Sequence, residues 1–187
     1  MQRLTRGDGA GGANTNKNGL CFENKTTDLS SEYSKTKIVQ STYLNAKIVT
    51  FKKNTKRQFI SANQANFKKA MNILLNPNKN RPDSLHGTKR PDEAYIDKNE
   101  KTIIIIEKKM QKSSGSVCEK IQTGPMKKLN YKELYPGWKI EYVYTLSNWF
   151  KQNCKGELRC LRSFNIPVFW GESETYKQEI VNFIVNV

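Results

Sequence analysis

Apolar and polar positions alternate along this chain in blocks that predict a mixed α/β fold. The clearest block is Thr102 to Met110 (TIIIIEKKM). Ile103 to Ile106 are apolar at four consecutive positions, which predicts a strand covered on both faces. Asp92 to Ile96 reads as a shorter strand before it. The polar Asp97 to Lys101 (DKNEK) supplies the turn that pairs the two antiparallel. Upstream, Ala46 to Lys53 (AKIVTFKK) has β-branched and aromatic content, and Gln58 to Ser61 is expected to fold back on it across Asn54-Thr55. Between these blocks Phe67, Ala70, Met71 and Leu74 recur at i, i+3, i+4 and i+7, so Asn63 to Leu75 is expected to be an amphipathic helix.

The second half continues the alternation. Ser116 to Gln122 and Met126 to Tyr135 read as helices on either side of Gly124-Pro125. Trp138 to Leu146 reads as a strand, Asn148 to Ser163 as one helix, Ile166 to Trp170 as a strand and Glu174 to Val185 as a terminal helix. A short helical pattern begins at Gly19 and runs to about Ser31. Residues 1–17, rich in Gly and Asn, read as a flexible arm, and 18–187 as a single domain. Asn76 to Arg90, with Pro77, Pro82 and Gly87, reads as a loop. The expectation is an α/β fold with a central mixed β-sheet flanked by helices.

Composition narrows the partners. With 187 residues a single core needs no metal or disulfide staple. Lys and Arg total 32 against 17 Asp and Glu, a net charge of +15. Such an excess repels itself unless an anion neutralises it, and nucleic acid is the commonest such partner. No apolar run reaches the length of a membrane span, and the first dozen residues lack the apolar core of a signal peptide. A cytoplasmic location and no membrane partner are therefore expected. Cys21, Cys118, Cys154 and Cys160 form no CxxC pair, and the single His86 cannot complete a usual zinc set. The cysteines are expected to be reduced thiols.

The candidate chemistry lies where the apolar strand ends in Glu107-Lys108-Lys109. Side chains alternate in a strand, so Glu107 and Lys109 share one face and Lys108 takes the other. Gln111 follows on the Glu107 face. Pairing of the two strands brings Asp92 near Glu107, whereas Glu93 points the other way. Two carboxylates supply hard oxygens for Mg²⁺. An ammonium beside them can orient a water and stabilise charge developing on a phosphate. The grouping suits phosphodiester hydrolysis.

Pro91-Asp92, a gap of fourteen residues, then Glu107-Lys108-Lys109 resembles the motif of the PD-(D/E)XK nuclease superfamily. Type II restriction endonucleases and Holliday junction resolvases belong to that superfamily. The resemblance implies a restriction-endonuclease-like core and catalytic roles for Asp92, Glu107 and Lys109, with Asp92 and Glu107 as Mg²⁺ ligands. It implies a further role for Glu23, in Gly-Leu-Cys-Phe-Glu, because many members bring a Glu from their first core helix to the metal. Gln111 is carried along as an assisting polar group. Gly115 to Thr123 is similar to the helix that follows the catalytic strand in some restriction endonucleases, except that Cys118 stands where an acidic residue is usual.

The resulting expectation is an Mg²⁺-dependent endonuclease that cuts double-stranded DNA at a short specific sequence, as a type II restriction endonuclease does. A homodimer would give two symmetric sites for the two strands. Bases would be read by Asn78, Asn80, Arg81, His86, Lys89 and Arg90 in the loop before the Asp92 strand, or by Arg3, Arg6, Asn14, Asn16 and Lys17 of the arm. A structure-specific nuclease such as a junction resolvase and a non-catalytic basic nucleic-acid-binding protein stand as alternatives. A restriction endonuclease of this kind can pair functionally with a DNA methyltransferase.

Overall fold

A computed structural model describes residues 13–40, 44–75, 90–112 and 117–187, with side chains from 18 onward and without that of residue 117. A seven-stranded sheet forms the centre. Its strands, in both chain and spatial order, are β1 (Tyr33–Gln40), β2 (Asn45–Phe51), β3 (Asn54–Ala62), β4 (Glu93–Asp97), β5 (Thr102–Lys109), β6 (Lys139–Leu146) and β7 (Val168–Trp170). The first five form an antiparallel meander, and β6 and β7 add parallel to β5. The α/β class with a mixed central sheet and flanking helices is thus observed.

The helices are α1 (Ala13–Thr27), α2 (Gln64–Leu75), α3 (Val117–Gln122), α4 (Gly124–Leu134), α5 (Trp149–Asn153), α6 (Lys155–Ser163) and α7 (Tyr176–Asn186). Ile103 and Ile105 pack on one face of the sheet with Phe67 and Met71 of α2, Tyr131 of α4 and Leu161 of α6. Ile104 and Ile106 pack on the other with Tyr176, Ile180 and Ile184 of α7. All four isoleucines are fully buried, as a strand sandwiched between two helical layers requires.

Several boundaries differ from expectation. The chain is helical from Ala13, so the expected arm boundary after residue 17 falls inside α1. The expected helix over 148–163 is divided at Cys154, whose backbone leaves the helical region. The β2–β3 turn is Lys52-Lys53, not Asn54-Thr55. The β1 strand had no periodic signal because Ser34 to Ile38 are exposed on both faces, with no buried side to impose alternation.

The cysteines also correct the expectation. Cys118 of α3 and Cys154 form a disulfide across 36 residues, while Cys21 and Cys160 are free. Packing of α3 against α6 brings the two thiols together, and sequence spacing carries no trace of that contact. Cys118 and Cys154 are therefore not the reduced thiols expected of them. Among the described residues no helix is long and apolar enough to cross a membrane.

Candidate active site at the end of the central sheet

The β4–β5 register pairs Glu93 with Ile106, which sets Asp92, just before β4, beside Glu107 near the end of β5. The Pro91 carbonyl accepts the Gln64 amide at 2.8 Å, so the entry to β4 is tied to the start of α2. Asp92 is then held by its own strand neighbour, since its Oδ2 accepts the backbone N–H of Lys108 at 2.7 Å. Lys109 Nζ lies 3.2 Å from the same Asp92 oxygen and 3.0 Å from Glu107 Oε1. The three residues expected to converge do converge on one ammonium.

A fourth group was missed. Lys127 of α4 donates from Nζ to Glu107 Oε1 at 2.7 Å, so one carboxylate oxygen meets two ammoniums. Its approach depends on a close helix–strand contact. A Cβ on Gly124 would lie 2.9 Å from the Tyr144 ring and 3.0 Å from Leu161, so glycine lets α4 begin flush against β6. The Lys127-Lys128 pair was visible in the sequence, but nothing there distinguished it from the other basic pairs along the chain.

These contacts shape the electrostatics. Burial pushes the Glu107 carboxyl up, but the ammoniums of Lys109 and Lys127 outweigh it and hold the group below the ordinary glutamate value. Burial likewise lowers Lys109, but the Glu107 and Asp92 carboxylates outweigh it and hold the ammonium above its ordinary value. Lys109 is therefore a cation and hydrogen-bond donor in this arrangement, not a base. Behind the site stands an aromatic wall of Tyr131, Tyr142 and Tyr144. Burial, reinforced by the charge of Glu107, raises all three phenols, Tyr144 to about 12.

Glu23 reaches the same neighbourhood from α1. A Cβ on Gly171 would sit 2.6 Å from the Phe22 ring and 2.7 Å from Thr26, so the absence of a side chain lets α1 lie against the segment after β7. The Tyr176 hydroxyl adds a bond to the Thr26 carbonyl at 3.2 Å. Glu23 is half-buried, and its carboxyl is raised by burial and by Asp92, against the lowering influence of Lys109 and Lys108. A raised folded-state value means that Glu23 favours the folded state below its ordinary value of 4.5 and loses that contribution as pH rises through the folded value. Glu23→Gln is therefore expected to stabilise the protein at pH 7, by less than about 1 kcal/mol given its partial exposure, and to have little effect at pH 4. Thermal melting in chelator at both values checks this; a loss of stability at pH 7 would contradict the assignment.

On the opposite face, Lys108 is fully buried. Its Nζ contacts Glu93 Oε2 at 2.6 Å and donates to the Thr27 hydroxyl of α1. Tyr95 donates to Glu93 Oε1 at 2.7 Å, and Tyr33 follows at 3.0 Å from Tyr95. Glu93 also lines a cleft of about 370 Å³ with Asn24, Thr27, Tyr33, Asn45 and Ser61. As expected from strand alternation, Glu93 is not part of the Asp92–Glu107 group. Gln111 lies two residues beyond β5, with its backbone N–H and carbonyl each bonded to the Ser147 hydroxyl at 3.1 Å. Arg90 is exposed just before Pro91. Asn78, Asn80, Arg81, His86 and Lys89 lie outside the described residues, as do Arg3 and Arg6 and the side chains of Asn14, Asn16 and Lys17.

Asp92 and Glu107 offer hard oxygens that already converge on a cation, the Lys109 ammonium. Mg²⁺ takes one or two carboxylates together with waters and phosphate oxygens, so this pair fits such an ion. Among the described residues the tight three-ligand group is Cys118, Cys154 and Glu157, but its sulfurs are joined to each other. A disulfide lacks the thiolate that ligates a metal. No family profile, no curated protein and no solved structure matches the chain.

Proposed function

We propose that this protein is an Mg²⁺-dependent endonuclease that hydrolyses phosphodiester bonds of double-stranded DNA at a short specific sequence, in the manner of a type II restriction endonuclease. The observation that carries the reading is the convergence of Asp92 Oδ2 and Glu107 Oε1 on Lys109 Nζ, at 3.2 and 3.0 Å, where a buried strand emerges at the sheet end. Two largely shielded carboxylates share the Lys109 ammonium, and Glu107 Oε1 meets a second ammonium, that of Lys127, so charge is concentrated at this sheet end.

Asp92 and Glu107 would hold the metal. When bound, it would neutralise phosphate charge and lower the pKa of a bound water. Lys109 would donate a hydrogen bond to the attacking water or to a non-bridging phosphate oxygen, opposing the negative charge that builds in the transition state. Glu23 would contribute a further acceptor on the α1 side. The net charge of +15 would draw the duplex to the protein, with phosphate contacts setting position and base-edge contacts in the grooves setting sequence. The reading retains an intracellular setting and a homodimer with one site per strand.

Incubation of the full chain with plasmid and phage DNA, with and without Mg²⁺, tests the proposal. Discrete fragments that require a divalent metal are expected. Binding without cleavage under Mg²⁺ or Mn²⁺ would favour a non-catalytic basic protein. Cleavage confined to four-way junctions would favour a resolvase.

A further inference from the structure

Lys127 has no place in the residue pattern that suggested the site, yet it lies 2.7 Å from Glu107 Oε1. That oxygen also receives Lys109 at 3.0 Å. Lys109 is shared between Glu107 and Asp92, whereas the ion pair described for Lys127 is with Glu107 alone. Lys127 also comes from a different layer. Lys109 rides on β5 with Glu107, while Lys127 enters from α4, seated by the Gly124 contact with Tyr144. The Lys127 ammonium is about one-fifth exposed and Glu107 about one-tenth, so solvent screens this attraction only in part.

We infer that Lys127 is a positioning residue that holds the Glu107 carboxylate as a built-in counter-cation and competes with a divalent metal ion for that oxygen. The inference rests on the reading of Asp92 and Glu107 as metal ligands. Its physical basis is charge exclusion, since a carboxylate oxygen saturated by two ammoniums offers little electron density to a third cation. Lys127 holds the Glu107 carboxylate in place, and it sets the metal concentration at which the site fills.

The test is Mn²⁺ binding to the DNA-free full chain, read as loss of the free-ion signal in electron paramagnetic resonance. Lys127→Met and Lys127→Gln are each expected to tighten Mn²⁺ binding by about tenfold, the removal of one nearby, partly screened positive charge. Lys127→Arg, which keeps the charge, should stay within about twofold of wild type, and Glu107→Gln should lose the site. A role confined to packing or to fixing Glu107 predicts the opposite sign, weaker Mn²⁺ binding in both neutral variants. Unchanged or weakened affinity in Lys127→Gln, with the far-ultraviolet circular dichroism of wild type, would overturn the inference, as would absence of Mn²⁺ binding by the wild type at millimolar concentration. Wild type that binds Mn²⁺ with this lysine dependence but leaves DNA intact would keep the inference and overturn the nuclease reading.

Discussion

Glu107→Gln is expected to lower the rate of DNA cleavage by about 10²–10³-fold or more, the range seen when one preorganised charge-stabilising group is removed, while leaving the protein folded. The amide keeps an oxygen that can accept from Lys109 and Lys127, so the shape of the site survives. What disappears is the negative charge that would hold the metal. Lys109→Met should cause a loss of the same order, because Lys109 joins Glu107 to Asp92 through contacts of 3.0 and 3.2 Å. Residues that act as a unit do not contribute independently, so the double variant should be little worse than either single one. Timed digests of supercoiled plasmid, with nicked and linear products followed separately, read all three. If both single variants cut at the wild-type rate, the site is elsewhere, whatever the activity of the protein.

The same substitution carries a stability signature. The folded-state carboxyl of Glu107 lies below the ordinary value of 4.5, so its ion pairs stabilise the fold above that value and are lost as pH falls through the folded one. Glu107→Gln has no group to titrate there. Its stability should consequently fall less steeply than that of wild type as pH drops below about 4.5. Urea melts at a series of acid pH values would show this; parallel pH profiles would mean that the Lys109 and Lys127 contacts are not made in solution.

The largest stability effect is expected on the other face of the sheet. Glu93→Ala should cost about 3–5 kcal/mol, the usual penalty for leaving a buried charge without its partner. Lys108 is 0 % exposed in its side chain and Glu93 is 3 % exposed, and the abandoned ammonium would keep the Thr27 hydroxyl but lose its counter-charge. Tyr95 would lose its acceptor as well. A loss of that size is a large part of the stability of a typical domain. Lys108→Met alone should be comparably harmful, because it strands the carboxylate. The pair Glu93→Leu with Lys108→Met should recover most of the loss, since an apolar pair needs no compensation in a dry interior. Urea denaturation across this cycle measures the coupling. A cost below about 1 kcal/mol for Glu93→Ala would place the pair in the range of exposed ion pairs, at odds with its burial.

That buried pair also bears on the site. Lys108 reaches the Thr27 hydroxyl, and Thr27 donates to the Glu23 carbonyl at 2.7 Å. The strand that carries Glu107 and Lys109 on one face thus grips, through its intervening residue, the helix that carries Glu23. The middle residue of Glu107-Lys108-Lys109 is not a spacer here. It anchors α1, and the aromatic pair Tyr33 and Tyr95 extends the network toward β1.

The sequence by itself determined the central strands, the antiparallel β4–β5 pairing and the α/β class. The reason is that four adjacent isoleucines and the period of α2 express burial directly, and burial is local in its demands on side-chain type. It also determined that Asp92, Glu107 and Lys109 share one face, because strand alternation and hairpin register are short-range geometry. Only the tertiary structure decided that Lys127 caps Glu107, that Lys108 and Glu93 form a buried pair tied to α1, and that Cys118 meets Cys154. Those contacts depend on how helices pack on the sheet or on one another, and Gly124 and Gly171 permit two of the approaches. A lysine bound for a carboxylate and a lysine bound for solvent look alike along the chain. They differ only in what the fold later sets against them.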